Sequence, residues 1–134
     1  MTAAAILVCE DDATHRELIR ASLARGNYSI FEIEQGRHLI GAVRSTRPDL
    51  VILDRRMPDS DGIELLEELR GDPEVAGVPV LVLSGSVRRA DRDAAFCAGA
   101  SDFLAKPFSP RQLAATVGAL LVRGRVGPVR LDAA

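Results

Sequence analysis

Four places in this 134-residue sequence carry groups that become reactive if a fold brings them together. They are the acidic run Glu10-Asp11-Asp12, the isolated Asp54, the hydroxyl of Ser84 and the ammonium of Lys106. Several carboxylates within a few ångströms cannot all stay ionised without a cation, because like charges raise one another's pKa. An oxygen-only set of this kind suits Mg²⁺, which takes one or two carboxylates and keeps several waters, and Mn²⁺ accepts the same donors. An aspartate held beside such an ion is a nucleophile toward a phosphoryl group and forms an acyl phosphate. The added phosphoryl oxygens then need donors, and a serine hydroxyl and a lysine point charge supply them. Each residue alone has a plainer use. Asp12 reads as a helix cap, Ser84 as a turn residue and Lys106 as a solvated charge, so the chemistry rests on their convergence.

The elements that would bring them together are legible in the hydrophobic pattern. Ile6–Cys9, Leu50–Leu53 and Val80–Leu83 are short, nearly continuous apolar runs, as expected of parallel strands covered on both faces. Ile30–Ile33 and Phe103–Ala105 are shorter and partly polar, which places them near the sheet edges. Between the runs lie five segments of helical periodicity. The first spans about Ala13 to Ala24, with Leu18, Ile19, Ala21 and Leu23 as its stripe. The second spans about Gly36 to Ser45, with Leu39, Ile40 and Val43. The third follows Asp61, with Glu64 in the capping-box position and Ile63, Leu66 and Leu69 behind it. The fourth follows Ser86 and carries Ala90, Ala94, Ala95 and Cys97. The fifth opens on Ser109-Pro110, with Gln112 in the box and Leu113, Val117, Leu120 and Leu121 as its stripe. Five strands alternating with five helices predict an α/β domain of (βα)5 type over residues 1–121. In an open sheet of this kind ligands bind beyond the carboxyl ends of the strands. Glu10-Asp11-Asp12, Asp54, Ser84 and Lys106 all follow a strand directly, so they share that rim.

Composition bounds the function. The chain is 47% hydrophobic with a formal charge of -2, enough apolar material for one core and far from the strongly basic balance of a protein that neutralises nucleic-acid phosphates. Direct nucleic-acid binding by this domain is therefore not expected. The start Met1-Thr2-Ala3-Ala4-Ala5 lacks a basic leader, and no apolar run approaches membrane-spanning length, which predicts a cytoplasmic protein without membrane contact. Cys9 and Cys97 each sit among apolar residues and are expected to be buried thiols in a reducing compartment. Residues 122–134 lose helical periodicity and read as a tail or the start of a linker.

These features together resemble the receiver domain of two-component response regulators, the family that includes the chemotaxis response regulator. The resemblance runs from Ile6 to about Leu121. Its motifs are the strand entering acids in Ile6-Leu7-Val8-Cys9-Glu10-Asp11-Asp12, the run Val51-Ile52-Leu53-Asp54-Arg55-Arg56-Met57-Pro58 with Asp61-Gly62 behind it, Leu83-Ser84-Gly85, and Lys106-Pro107-Phe108. It implies a flavodoxin-like three-layer fold with strand order 2-1-3-4-5 and a cis peptide bond before Pro107. By the same correspondence Asp54 is the phosphorylated residue, and Glu10, Asp11, Asp54 and the backbone carbonyl of Arg56 hold Mg²⁺. Lys106 stabilises the transferred charge, and Ser84 and Phe103 form the switch pair. The implied partners are a histidine kinase or histidine phosphotransfer protein upstream, and a downstream protein or output domain at the face made by helix four, strand five and helix five.

Several positions depart from the family pattern. Glu10 stands where Asp is commoner, a longer arm that still reaches a metal. Phe103 has no hydroxyl to bond when it turns outward. Arg55 and Arg56 are unusual beside an acidic pocket; the Arg56 side chain either pairs with a nearby carboxylate or the incoming phosphoryl group or, the favoured reading, is solvated. Thr116 occupies the place where winged-helix regulators carry an Arg that pairs across a dimer with an Asp such as Asp102, so neither a strong dimer through that face nor that output class is expected. Two other functions compete with the switch. A phosphorylation-independent interaction module on the same fold would be favoured by loss of an acid or of Lys106, and neither is lost. A small-molecule phosphohydrolase would need a general acid. Of the two histidines, His15 is near the rim but reads as a solvated helix residue.

Overall fold

The computed structural model describes residues 3–124. The strands are β1 (Ala4–Cys9), β2 (Tyr28–Ile33), β3 (Leu50–Asp54), β4 (Val80–Ser84) and β5 (Asp102–Ala105). The helices are α1 (Ala13–Ser22), α2 (Leu39–Thr46), α3 (Gly62–Arg70), α4 (Arg89–Ala98) and α5 (Pro110–Arg123). A single 3-10 turn, Gly36–His38, leads into α2, and the pairs Arg56–Met57 and Ser60–Asp61 form a small antiparallel hairpin after β3. All neighbours in the main sheet are parallel, in the order β2-β1-β3-β4-β5, which is the expected flavodoxin-like arrangement. The two partly polar strands take the edges, and the three apolar ones take the centre.

Successive strand residues point to opposite faces, and this alternation divides the core in two. Leu7, Cys9, Val51, Leu53, Val80, Val82 and Phe103 face α2, α3 and α4. Ile6, Val8, Leu50, Ile52, Leu81, Leu83 and Leu104 face α1 and α5, meeting Ile19, Leu23, Leu113, Val117 and Leu120. Two buried faces explain why the central strands read as unbroken apolar runs.

Three helix starts behave as the sequence predicts. Asp12 Oδ1 accepts from Thr14 N–H and His15 N–H, Asp61 accepts from Ile63 N–H, and Ser109 accepts from Gln112 N–H. Expectations about burial fail at four positions, Cys97, Leu18, Ala21 and Ala90, all of which are exposed. Cys97 is exposed, because it lies two residues beyond the buried Ala95 and therefore about 200° around α4 from the core. Leu18 is 37% exposed for a related reason: within α1 only Ile19 is buried, with Leu23 just past its end. The last helix runs two residues past Leu121, and the rest of the expected tail, 125–134, lies outside the described residues.

Arg70, at the end of α3, holds the lower side of the sheet without any carboxylate. Its Nε and Nη2 donate to Gly99 O at 3.0 and 2.8 Å, and Nη1 donates to Ala76 O at 2.8 Å and to Val78 O. Gly99 ends α4 with φ 110°, and a Cβ there would come within 2.8 Å of Arg70 Cγ. Glycine is required on both counts. At the amino ends of the strands, Ala3 and Ala4 line one cavity with Arg47, Pro48, Asp49, Leu121 and Gly124.

Candidate functional site

The site forms where β1, β3, β4 and β5 end side by side. β1 runs directly into Glu10 and Asp11, and Glu10 N–H donates to Ile33 O at 3.1 Å, extending the ladder one residue past the strand. Arg55 N–H donates to Leu83 O at 2.8 Å and Lys106 N–H to Ser84 O at 2.7 Å. Backbone bonds thus lace all these strand ends together, and the side chains converge without loop flexibility. After β3 the chain turns tightly. Gly62 N–H donates to Arg55 O at 2.6 Å, and a Cβ on Gly62 would sit 2.7 Å from Arg55 Cα and 2.8 Å from Asp54 O. Only glycine lets the start of α3 approach the acceptor strand this closely.

One carboxylate oxygen from each of Glu10, Asp11 and Asp54 lies within 4.8 Å of the other two. Glu10 is almost fully buried, Asp54 is 7% exposed and Asp11 faces solvent. Lys106 Nζ lies 3.2 Å from Asp54 Oδ2 and 3.3 Å from Glu10 Oε2. Asp54 Oδ1 accepts the Arg56 N–H at 3.2 Å. Burial first, and then the hydrogen bond and charge of Asp54, push the Glu10 carboxyl up to about 7, against the pull of Lys106 and His15. One lysine therefore leaves the cluster over-supplied with negative charge. Three oxygen donors in this state fit a hard divalent cation such as Mg²⁺.

Ser84, 3% exposed at the end of β4, accepts the Ser86 N–H on its Oγ at 3.1 Å. Phe103 is 6% exposed, with its ring turned into the α3–α4 side of the core. The Lys106–Pro107 peptide bond is cis. The Arg56 side chain is exposed, as expected, while Arg55 turns toward α4 and places Nη1 2.9 Å from Asp91 Oδ1.

His15 corrects the sequence reading. Although its side chain is 43% exposed, Nδ1 lies 3.0 Å from Glu10 Oε1 and 3.2 Å from Lys106 Nζ, so it belongs to the site. The signal was present: with Asp12 as cap, His15 is the third residue of the helix, the position whose side chain reaches back over the cap. Arg16 follows the same direction, donating from Nη1 to the carbonyls of Glu10 and Asp11 at 2.9 Å each. It fixes the backbone that carries both acids.

Residues 6–118 match the family described as the response regulator receiver domain. The chain belongs to that family. The receiver is 41% identical over 118 residues to the transcriptional regulatory protein ResD of Bacillus subtilis, covering 88% of this chain and 48% of ResD. It is likewise 41% identical to the response regulator MprA of Mycolicibacterium vanbaalenii, covering 88% of this chain and 50% of MprA. The crystal structure of a putative response regulator from Chloroflexus aurantiacus superposes with a TM-score of 0.86 at 30% identity, covering 91% of this chain and all of that one. The chain spans about half the length of the curated relatives it matches. The receiver is thus a phosphorylation-controlled domain that accepts its phosphoryl group on an aspartate, and Glu10, Asp11 and Asp54 form the acidic cluster where that chemistry resides. Among the described residues no helix is long and apolar enough to cross a membrane.

Proposed function

We propose that Asp54 is the phosphoryl acceptor and that the donor is the phosphohistidine of a histidine kinase or histidine phosphotransfer protein. The observation that carries this reading is the seating of Asp54. Its buried carboxylate ends β3 between the Arg56 N–H and the Lys106 ammonium, which orient it and screen its charge. An Asp54 oxygen attacks phosphorus in line, the P–N bond to the donor imidazole breaks, and an acyl phosphate forms. Lys106 follows the charge onto the phosphoryl oxygens. Glu10, Asp11, Asp54 and the Arg56 carbonyl are the residues that would hold Mg²⁺, which when bound neutralises the cluster and the incoming oxygens. The same pocket supports hydrolysis of its own acyl phosphate, with no separate substrate turned over.

Ser84 then shifts its hydroxyl toward the new oxygens, and Phe103 fills the space behind it. A local charge event in this way biases the face made by α4, β5 and α5. That face addresses a downstream protein or output domain, in a cytoplasmic setting. ResD, about twice as long, is described as a transcriptional regulator. On the receiver itself Thr116 Oγ1 donates to Gln112 O at 2.8 Å, spending its hydroxyl on its own helix. That supports a domain without a strong partner contact through this residue.

Intact-mass analysis after incubation with acetyl phosphate and Mg²⁺ tests the acceptor. One phosphoryl adduct is expected on the native chain and none on Asp54→Ala, while the same adduct on both would overturn the assignment. Transfer from a phosphorylated histidine phosphotransfer protein tests the donor class.

A further inference from the structure

A polar chain ties the turn between β4 and α4 to the residue that follows the acceptor aspartate, and the phosphoryl chemistry above does not use it. Ser86 N–H donates to Ser84 Oγ at 3.1 Å, and the Ser86 hydroxyl donates to Asp91 Oδ2. Ser86 Oγ also accepts the Arg88 N–H at 3.2 Å. Asp91 Oδ1 in turn lies 2.9 Å from Arg55 Nη1. That nitrogen is buried and among the described residues makes no aligned hydrogen bond, so the contact is a pairing of charges. The Asp91 carboxyl is held below the usual aspartate range by the Ser86 hydroxyl first and then by Arg55. Arg55 is a firm anchor, since its own N–H and carbonyl are bonded to Leu83 and Gly62. The next residue of α4, Arg92, sets its guanidinium 5.8 Å from the Phe103 ring centre and 5.3 Å from that of Phe96. One turn of α4 therefore grips Arg55 on one side and covers the Phe103 ring on the other.

We propose that the Arg55–Asp91 pair is a latch that holds the Ser84–Ser86 turn in its resting position and so sets how readily the domain accepts a phosphoryl group. The proposal rests on Ser84 moving toward a phosphoryl group on Asp54. When it moves, Ser86 N–H loses its acceptor, and the turn must shift against the Ser86 hydroxyl, Asp91 and Arg55. The side chains of the pair are only 20% and 29% exposed, so solvent screens it less than an open surface pair. A contact made in the resting arrangement and lost in the active one biases the equilibrium by its own differential free energy. Arg55 and Asp91 are thus positioning residues, acting on the chemistry through Ser84.

The test uses beryllofluoride as the phosphoryl mimic at saturating Mg²⁺, with the native chain, Arg55→Ala, Asp91→Ala and the double variant. Affinity for Mg²⁺ alone and urea stability are measured on the same proteins. Each single substitution is expected to tighten beryllofluoride binding by roughly three- to tenfold, the double variant by no more than either, with Mg²⁺ affinity unchanged within about twofold. Should an alanine variant fold poorly, Arg55→Gln and Asp91→Asn keep the shape and remove the charge. Unchanged beryllofluoride affinity overturns the latch, and so do additive effects, which would mean that the two residues act separately. Weaker binding by Arg55→Ala alone also overturns it, since Arg55 would then hold the anion directly. If the native chain binds no beryllofluoride with Mg²⁺ present, the phosphoryl reading itself fails, and that outcome is distinct from equal binding by all four proteins.

Discussion

Replacing Glu10 by Gln separates what the acidic cluster costs the fold from what it contributes to the chemistry. Without metal, the Glu10 carboxyl is raised from 4.5 to about 7. Between those values the folded chain keeps a proton that the unfolded chain has released, so stability falls as pH rises through this window. A shift of that size, at about 1.4 kcal/mol per pKa unit, makes the ionised carboxylate destabilising by about 3 kcal/mol above pH 7. Gln keeps an acceptor for the Asp12 N–H, which bonds Glu10 Oε1 at 3.4 Å, and Lys106 keeps Asp54. Asp12, Asp59 and Asp91 are all held below the usual aspartate value by hydrogen bonds, so they titrate below this window. Urea unfolding in EDTA, followed by far-ultraviolet circular dichroism because the chain has no tryptophan, is the assay. Glu10→Gln should match the native chain near pH 4, below the window, and exceed it by about 3 kcal/mol near pH 8. Added Mg²⁺ should then stabilise the native chain more than the variant, by mass action on an intact site. Parallel pH profiles for the two proteins in EDTA would refute the argument.

Three further outcomes are expected. Arg70→Leu strips donors from the carbonyls of Ala76, Val78 and Gly99 and should cost about 2 to 3 kcal/mol in urea unfolding, with a loss under about 0.5 kcal/mol contradicting the strut. A maleimide at pH 8 should label native protein once, at exposed Cys97. Cys9 is a thiol pushed up to about 12 by burial and then by the surrounding carboxylates, and it should react only after unfolding, so labelling of Cys9 in the native state would be contrary evidence. Fluorine NMR of a label at Phe103 should show a larger inward population before phosphorylation than a labelled Phe103→Tyr, since the Phe ring buries no hydroxyl. Equal populations would remove that packing argument.

The fold was legible because burial on both faces writes itself as an unbroken apolar run, and the caps at Asp12, Asp61 and Ser109 punctuate it with short-range chemistry. The acidic rim was legible for a related reason, as each of its residues ends a strand or follows within two residues of one. What stayed hidden depends on distance through space. Arg55 and Asp91 are 36 positions apart in sequence, and nothing local marks either as the other's partner. Arg70 was missed because its acceptors are backbone carbonyls, which every residue carries and no residue type signals. Cys97 misled because Ala94, Ala95 and Ala98 surround it with small apolar residues that α4 distributes around its circumference. His15 is marked by its place three residues after the Asp12 cap, but its residue type alone does not point to the site, since a histidine on an exposed turn has many uses.

The cavity shared by Ala3, Ala4, Leu121 and Gly124 has a consequence for joining this domain to others. β1 separates that pole from the acidic rim by five residue steps, roughly 17 Å. Because residues 3 and 124 line the same cavity, a host protein opened at a surface loop could take up the segment between them with both of its connections leaving from one pole. The insert would hang with its rim outward, free to meet a phosphodonor. Any signal to the host would have to descend through the interior along the central strands or down α5, making the length of that helix the lever arm of such a fusion.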